Sequence, residues 1–242
     1  MSNNSLLIKN ANIVDGTGTE AFIGDVLVED GVIKNVGNID GEFETVIDAN
    51  GLILAPGFID IHTHFDPQLC WDGYATPSIE HGVTTVVTGN CSLSLAPIRN
   101  GGEEKIISMF QVIEDIKKPT FEAAVPFSWE TFGDYLDHIK PNLGINVGAL
   151  IGHSAIRLYV MGQDSQKREA TDDEIKQMSE IVETAMQQGA LGVSSSYVDV
   201  EWGGALGECG AWRVREVAIY MHVYVYCLLY TSPSPRDGLL SR

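Results

Sequence analysis

Gly51-Leu-Ile-Leu-Ala-Pro-Gly-Phe-Ile-Asp-Ile-His-Thr-His-Phe-Asp66 is the stretch on which the reading of this chain turns. Pro56-Gly57 opens a short β-rich run from Phe58 to Thr63. Residues two apart on a strand point to the same face, so His62 and His64 leave its end side by side, with Ile61 and Thr63 on the other face. Two neutral imidazoles held this way suit a divalent transition metal such as zinc. On its own a His-x-His pair is weak evidence of a metal, and its setting decides its weight.

Upstream of this stretch, short β-type runs alternate with turn signals. Leu6 to Asn10, Ile23 to Glu29, Val32 to Val36 and Val46-Ile47 are the runs, punctuated by Asp15-Gly16, Asp30-Gly31 and Asp40-Gly41. Asp-Gly favours tight hairpins, so residues 1–56 read as a small antiparallel β-domain. Downstream, strands separated by helical stretches predict parallel βα units. Thr76-Pro77 reads as a helix start that Gly82 closes. Val83 to Thr88 is β-branched throughout, the composition of a buried strand. Gly102 to Ile116 carries an amphipathic helical stripe, and Ser128 reads as the cap of a helix bearing Phe132, Tyr135, Leu136 and Ile139. Asn146 to Ile151 is a third strand. Thr171-Asp-Asp-Glu174 is a capping box opening a helix with Ile175, Met178, Ile181, Val182 and Ala185 on one side. Ala190 to Ser196 is a fourth strand. The α/β pattern runs over residues 57–201.

Trp202 to Arg242 does not resume that pattern. Within it, Cys227-Leu-Leu-Tyr-Thr-Ser-Pro-Ser-Pro-Arg-Asp237 resembles the in-frame translation of a sequencing-library adapter. The expectation is that residues 202–242 are a read-through tail on a gene fragment, and no role is carried onto His222.

Asp and Glu total 33 against 15 Lys and Arg, a formal charge of −18. Such a chain repels phosphate backbones, which argues against a nucleic-acid partner. The four cysteines, Cys70, Cys91, Cys209 and Cys227, form no Cys-x-x-Cys pair, and a reduced, cytoplasmic setting is expected. The N-terminus has no signal-peptide pattern, and the apolar run Val217 to Tyr230 is short of the ~20 residues that span a bilayer. No membrane partner is expected, and the oligomeric state is left open.

The candidate chemistry gathers at strand ends. His62 and His64 end the first strand of the α/β part, Cys91 follows the second, and His153 follows the third. Cys91 reads either as a small buried hydrophobe or as a zinc-stabilised thiolate. His153 reads equally as a substrate-facing or a structural histidine. Arg157 has the fork that suits a substrate carboxylate, though a plain surface arginine is the commoner case. Asp66 has a possible role in orienting a histidine, and Asp60 reads as a hydrogen-bonding residue of the first strand region.

Ala55-Pro-Gly-Phe-Ile-Asp-Ile-His-Thr-His64 resembles the first barrel strand of the amidohydrolase superfamily. Val86-Val-Thr-Gly-Asn-Cys-Ser-Leu-Ser-Leu-Ala-Pro97 narrows the resemblance to the D-aminoacylase branch, the N-acyl-D-amino-acid deacylases. Trp71 to Pro77, Glu80 to Val87, Val160-Met-Gly162 and Gln188 to Ser195 add to it, so that it covers roughly residues 5–200. The resemblance implies a (β/α)8 metal-dependent hydrolase barrel, of which residues 57–201 are the first half, preceded by part of a small β-domain. It implies one or two divalent ions, zinc above all, with His62, His64 and Cys91 as ligands. The cysteine there takes the place of the bridging lysine that many amidohydrolases carry after the fourth strand; here that strand has Ser194, Ser195 and Ser196, and no lysine follows Lys176. The implied reaction is hydrolysis of the linear amide of a small-molecule N-acyl-D-amino acid. The implied catalytic acid, an aspartate after an eighth strand, lies beyond this sequence, so the fragment alone is expected to be inactive. The alternatives are an amidohydrolase acting on cyclic amides and a non-catalytic metal-binding protein of the same fold. One departure is Ser92, where the branch usually has glycine.

Overall fold

The computed structural model describes residues 5–196. The tail reading at 202–242 therefore falls outside the described residues, and the chain forms two compact units that divide between Phe58 and Ile59.

The first unit is a five-stranded sheet: β1 (Ser5–Ile13), β2 (Phe22–Glu29), β3 (Val32–Gly37), β4 (Thr45–Asp48) and β5 (Ile53–Leu54). Leu7, Ala11 and Ile13 alternate inward along β1, and Ala11, Ile13 and Val26 form a small buried cluster. Asp30-Gly31 makes the expected tight hairpin, with Glu29 opposite Val32 and φ of +50° and +76° at the two turn residues, as a type I′ turn requires. The sheet is mixed, however, and not antiparallel throughout. β4 pairs parallel with Leu6–Lys9 of β1, and β5 pairs parallel with Asn12–Ile13. Asp15-Gly16 sits in the longer loop joining β1 to β2. Asp40-Gly41 belongs to the connection that carries the chain from β3 to the far side of β1. A local turn signal reports the bend and not the strand that the chain pairs with afterwards.

The second unit holds the strands β6 (Phe58–Asp60), β7 (Val83–Thr88), β8 (Asn146–Gly152) and β9 (Gly192–Ser194) in sequential order. The β7–β8 and β8–β9 pairs are parallel, the arrangement that βα crossovers require. The helices are α1 (Glu103–Glu114), α2 (Lys118–Ala124), α3 (Phe132–Ile139), α4 (His153–Met161) and α5 (Asp172–Gln187). Their apolar stripes meet the sheet in one core that includes Val86, Phe110, Tyr135, Ile151, Ile156 and Met178. Cutting a fully buried aromatic such as Phe110 back to alanine costs about 3–5 kcal/mol in such a setting. The aromatic residues of α3 thus serve packing.

Two helix starts differ from expectation. Thr131, not Ser128, caps α3, through a reciprocal capping box with Asp134. Thr76 opens no helix: the Thr76–Pro77 peptide is cis, and only a single 3-10 turn, Ile79–His81, follows. Gly82 closes that turn with φ of +84°, as read. The Thr171–Glu174 capping box starts α5 as its sequence indicates. Among the described residues no helix is long and apolar enough to cross a membrane.

Candidate metal centre

β6 ends at Asp60, whose carboxylate accepts the His62 N–H at 3.2 Å. Thr63 then pins the chain to β7: its amide and its hydroxyl both donate to Val87 O, at 3.0 and 2.9 Å. With buried Thr63 fixed between them, His62 and His64 stand with ring centroids 5.4 Å apart, nearly edge to face.

Cys91 arrives by a stiff turn. β7 stops at Thr88, and Gly89, Cys91 and Ser92 take φ of +78°, +53° and +71°. Only glycine fits at the first of these, because a Cβ there would collide with the backbone carbonyl of Leu150. The Asn90 amide donates back to Val87 O at 2.9 Å and to Thr63 O at 3.3 Å. Asp66, 1% exposed, accepts the Thr88 hydroxyl and the Gly89 N–H. Its carboxylate therefore fixes the cysteine turn and, among the described residues, bonds no histidine. The outcome is a Cys91 Sγ 3.1 Å from His62 Nε2. Ligating atoms of His62, His64 and Cys91 all lie within 4.8 Å of one another. Around a tetrahedral zinc with bonds of about 2.0–2.3 Å, donors sit roughly 3.3–3.8 Å apart, so the widest separation would close by about an ångström while the 3.1 Å Cys91–His62 pair opens slightly.

Burial sets the protonation of this group. It pushes the His64 pKa down to about 4, helped by His62, which keeps the imidazole neutral and able to donate a lone pair at neutral pH. The Cys91 thiol is pushed up, by burial first and then by the negative charge of Glu114. Asp66 is raised to about 6 because burial outweighs its bonds from Thr88 and Gly89. Cys70, by contrast, is pushed up to about 12 by burial and by Asp66, and its thiol points to Asp66 O.

These residues fit a divalent metal. His64 Nδ1 is buried and has no hydrogen-bond partner among the described residues, which costs about 1–3 kcal/mol if nothing satisfies it. Two imidazoles and one thiol are the donor types that zinc takes.

The other two residues singled out in the sequence have different surroundings. His153 is fully buried at the first position of α4. Arg157, one turn on and 2% exposed, donates from Nε and Nη2 to Ser165 O and from Nη2 to Arg168 O. Its fork holds the loop between α4 and α5, where the sequence reading had it meeting a substrate carboxylate or lying on the surface.

A model of the Amidohydrolase family matches residues 45–201, a span that contains every one of these residues. The chain belongs to that family. Within it, this amidohydrolase falls in the D-aminoacylase branch. It is 36% identical over 192 residues to a D-aminoacylase and 38% identical over 193 residues to an N-acyl-D-aspartate deacylase, both from Alcaligenes xylosoxydans xylosoxydans. Each match takes in 78% of this chain but only 37% and 36% of those proteins, so the chain spans little more than a third of their length. Among solved structures, a D-aminoacylase with a binuclear metal centre superposes with a TM-score of 0.71 at 30% identity, over 90% of this chain and 43% of the other. An N-acyl-D-glutamate deacylase from Bordetella bronchiseptica, complexed with zinc and a phosphonate that mimics the tetrahedral intermediate, gives 0.67 at 28%, over 90% and 42%.

The fold of this amidohydrolase also brings up residues that the sequence did not signal. Glu114, the last residue of α1, places Oε1 3.6 Å from His64 Nε2. Because burial keeps His64 neutral, this is a polar contact and not an ion pair. A recess of about 230 Å³ lies beside it, lined by His64, Phe65, Gln68, Trp71, Glu114 and Ile116. Ser194 at the end of β9 reaches the cysteine turn itself. Nothing local marks either residue, since both depend on how a distant element is placed.

Proposed function

We propose that this amidohydrolase chain is part of a zinc-dependent deacylase that hydrolyses the linear amide of an N-acyl-D-amino acid to a carboxylate and a D-amino acid. On this reading residues 57–201 are the first half of a (β/α)8 barrel, and residues 1–56 belong to a small β-domain. The exposed apolar side chains at the outer strands of the second sheet, Ile59 and Ile61 by β6 and Leu191 by β9, support further strands closing over them.

The observation that carries the proposal is the convergence of His62, His64 and Cys91 from the ends of two strands into one 4.8 Å cluster. When bound there, a zinc ion lowers the pKa of its water and polarises the amide carbonyl. His64, neutral at pH 7, ligates without first losing a proton, whereas Cys91 releases one on binding. The recess beside His64 is where a substrate side chain or acyl group meets Phe65 and Trp71. Asp60 accepts the His62 amide and Asp66 is bonded within the cysteine turn, so neither is placed to move the substrate proton. We assign that step to the aspartate expected after an eighth strand.

Elemental analysis tests the centre. Cys91→Ala should lose more zinc than His62→Asn, because a thiolate brings a full negative charge to the ion and an imidazole none. Release of free D-amino acid from N-acyl-D-amino acids by the protein carrying the remainder of the barrel tests the reaction. Turnover confined to cyclic amides would overturn the substrate reading.

A further inference from the structure

The fourth strand offers no metal ligand, yet it touches the cysteine turn on both sides. The Ser194 hydroxyl, buried at the end of β9, donates to Gly89 O and accepts from Ser92 N at 3.0 Å. Those two groups flank Asn90 and Cys91. Among the described residues, Ser194 is the side chain that bonds both limbs of the turn.

The turn needs such a restraint. Cys91 and Ser92 are non-glycine residues in the left-handed region, which L-residues occupy only when the surroundings over-determine it. Neither Gly89 O nor Ser92 N has a strand or helix partner, because β7 has already ended. Within the turn, Leu93 N donates to Asn90 O at 2.9 Å; the other bonds from outside hold one limb each, Asp66 taking Gly89 N, and Ser154 N donating to Ser92 O at 3.1 Å and to Ser92 Oγ at 2.9 Å. Among the described side chains, Ser194 alone bridges Gly89 to Ser92, and the separation it holds helps set where Cys91 Sγ points, 3.1 Å from His62 Nε2.

We propose that Ser194 is the positioning residue for Cys91, so that the fourth strand shapes the metal centre through the cysteine turn instead of supplying a ligand. This rests on the reading of Cys91 as a ligand, and the test separates the two. Ser194→Ala removes the bridge. Ser194→Thr keeps the hydroxyl. Ser94→Ala is the control, deleting another buried hydroxyl, one that accepts from Gly152 N and donates to Ala96 O without touching the turn.

Two readouts are taken on the whole chain. In the metal-free protein, peptide-resolved mass spectrometry follows alkylation of Cys91 against buried Cys70. In the cobalt(II) titration, the thiolate-to-cobalt absorption band reports affinity. Ser194→Ala should alkylate severalfold faster at Cys91 and bind cobalt about 10–100-fold more weakly, the usual consequence of loosening a ligand's support. Ser194→Thr should restore both, and Ser94→Ala should match the parent in both. The proposal is overturned if Ser194→Ala matches the parent in both readouts, or if Ser94→Ala shifts them as much. A thiolate band that survives in Cys91→Ala overturns the ligand reading and the inference with it, while the alkylation readout reports on the turn alone.

Discussion

At the end of β7 the chain passes through three left-handed residues to present Cys91, whereas at the end of β8 it enters α4 directly and buries His153 and Arg157 in the first turns of the helix. Both are strand ends of one sheet, and both carry residue types able to bind a ligand. The first stores backbone strain and holds it with Asp66, Ser194 and the Asn90 amide. At the second, the Arg157 fork donates to two loop carbonyls, Ser165 O and Arg168 O. Strain maintained by surrounding bonds marks a place where geometry is being imposed for a purpose.

The largest effect on this contrast should come from Gly89→Ala. The added Cβ meets the Leu150 carbonyl while the backbone stays at positive φ, so more than about 3 kcal/mol should be lost. Gly31→Ala, also at positive φ but with open space around it, should cost about 1–2 kcal/mol. Urea denaturation of the two variants compares them, and equal losses would mean the cysteine turn is no tighter than an ordinary hairpin.

Arg157→Ala comes next. It leaves the Ser165 and Arg168 carbonyls without their donor and should cost about 2–4 kcal/mol. Zinc affinity should be unchanged by calorimetric titration. A variant that keeps its stability but loses affinity for an acyl amino acid would return Arg157 to the substrate.

The smallest effect is a pH dependence. Asp66 has its pKa raised to about 6 from 3.8, so the folded chain binds more protons than the unfolded one between those values. Its contribution is present below about pH 4 and is lost as pH rises through about 6. His64 has its pKa lowered to about 4 from 6.5. Its contribution is present above pH 6.5 and is lost as pH falls towards about 4. The two slopes oppose each other over nearly the same window, with Glu114, also raised by burial, adding to the Asp66 side, so the metal-free parent should show at most a shallow rise with pH there. Asp66→Asn should unmask the rise in stability with pH due to His64. Urea midpoints from about pH 4 to 7 measure this, and a variant profile as flat as the parent's would contradict the assignment.

How far all this was legible in the sequence depends on the range of each interaction. His62, His64 and Cys91 stood out because strand periodicity and strand ends are local properties. The α5 capping box and its apolar stripe were legible for the same reason. The parallel pairing of β4 and β5 with β1 was not, since turn residues do not specify a later partner strand. Thr131 and Ser128 are both sound caps by composition, and the acid three residues on, Asp134, which closes the box with Thr131 and has no counterpart after Ser128, decides between them. Asp66 was noticed as an acid near the histidines, but its actual partners, Thr88 and Gly89, lie more than twenty residues away. Ser194 is further still, 102 residues from Ser92. A hydroxyl that bridges two backbone groups leaves no pattern in sequence.

The zinc K-edge X-ray absorption spectrum of the zinc-loaded chain bears most directly on the centre itself. The account predicts one sulfur neighbour at about 2.3 Å together with imidazole nitrogens. That sulfur should vanish in Cys91→Ala and persist in Cys70→Ala, whose thiol faces Asp66 O. A spectrum without sulfur in the parent, or with the same sulfur after Cys91→Ala, would contradict the assignment of His62, His64 and Cys91 as one metal centre.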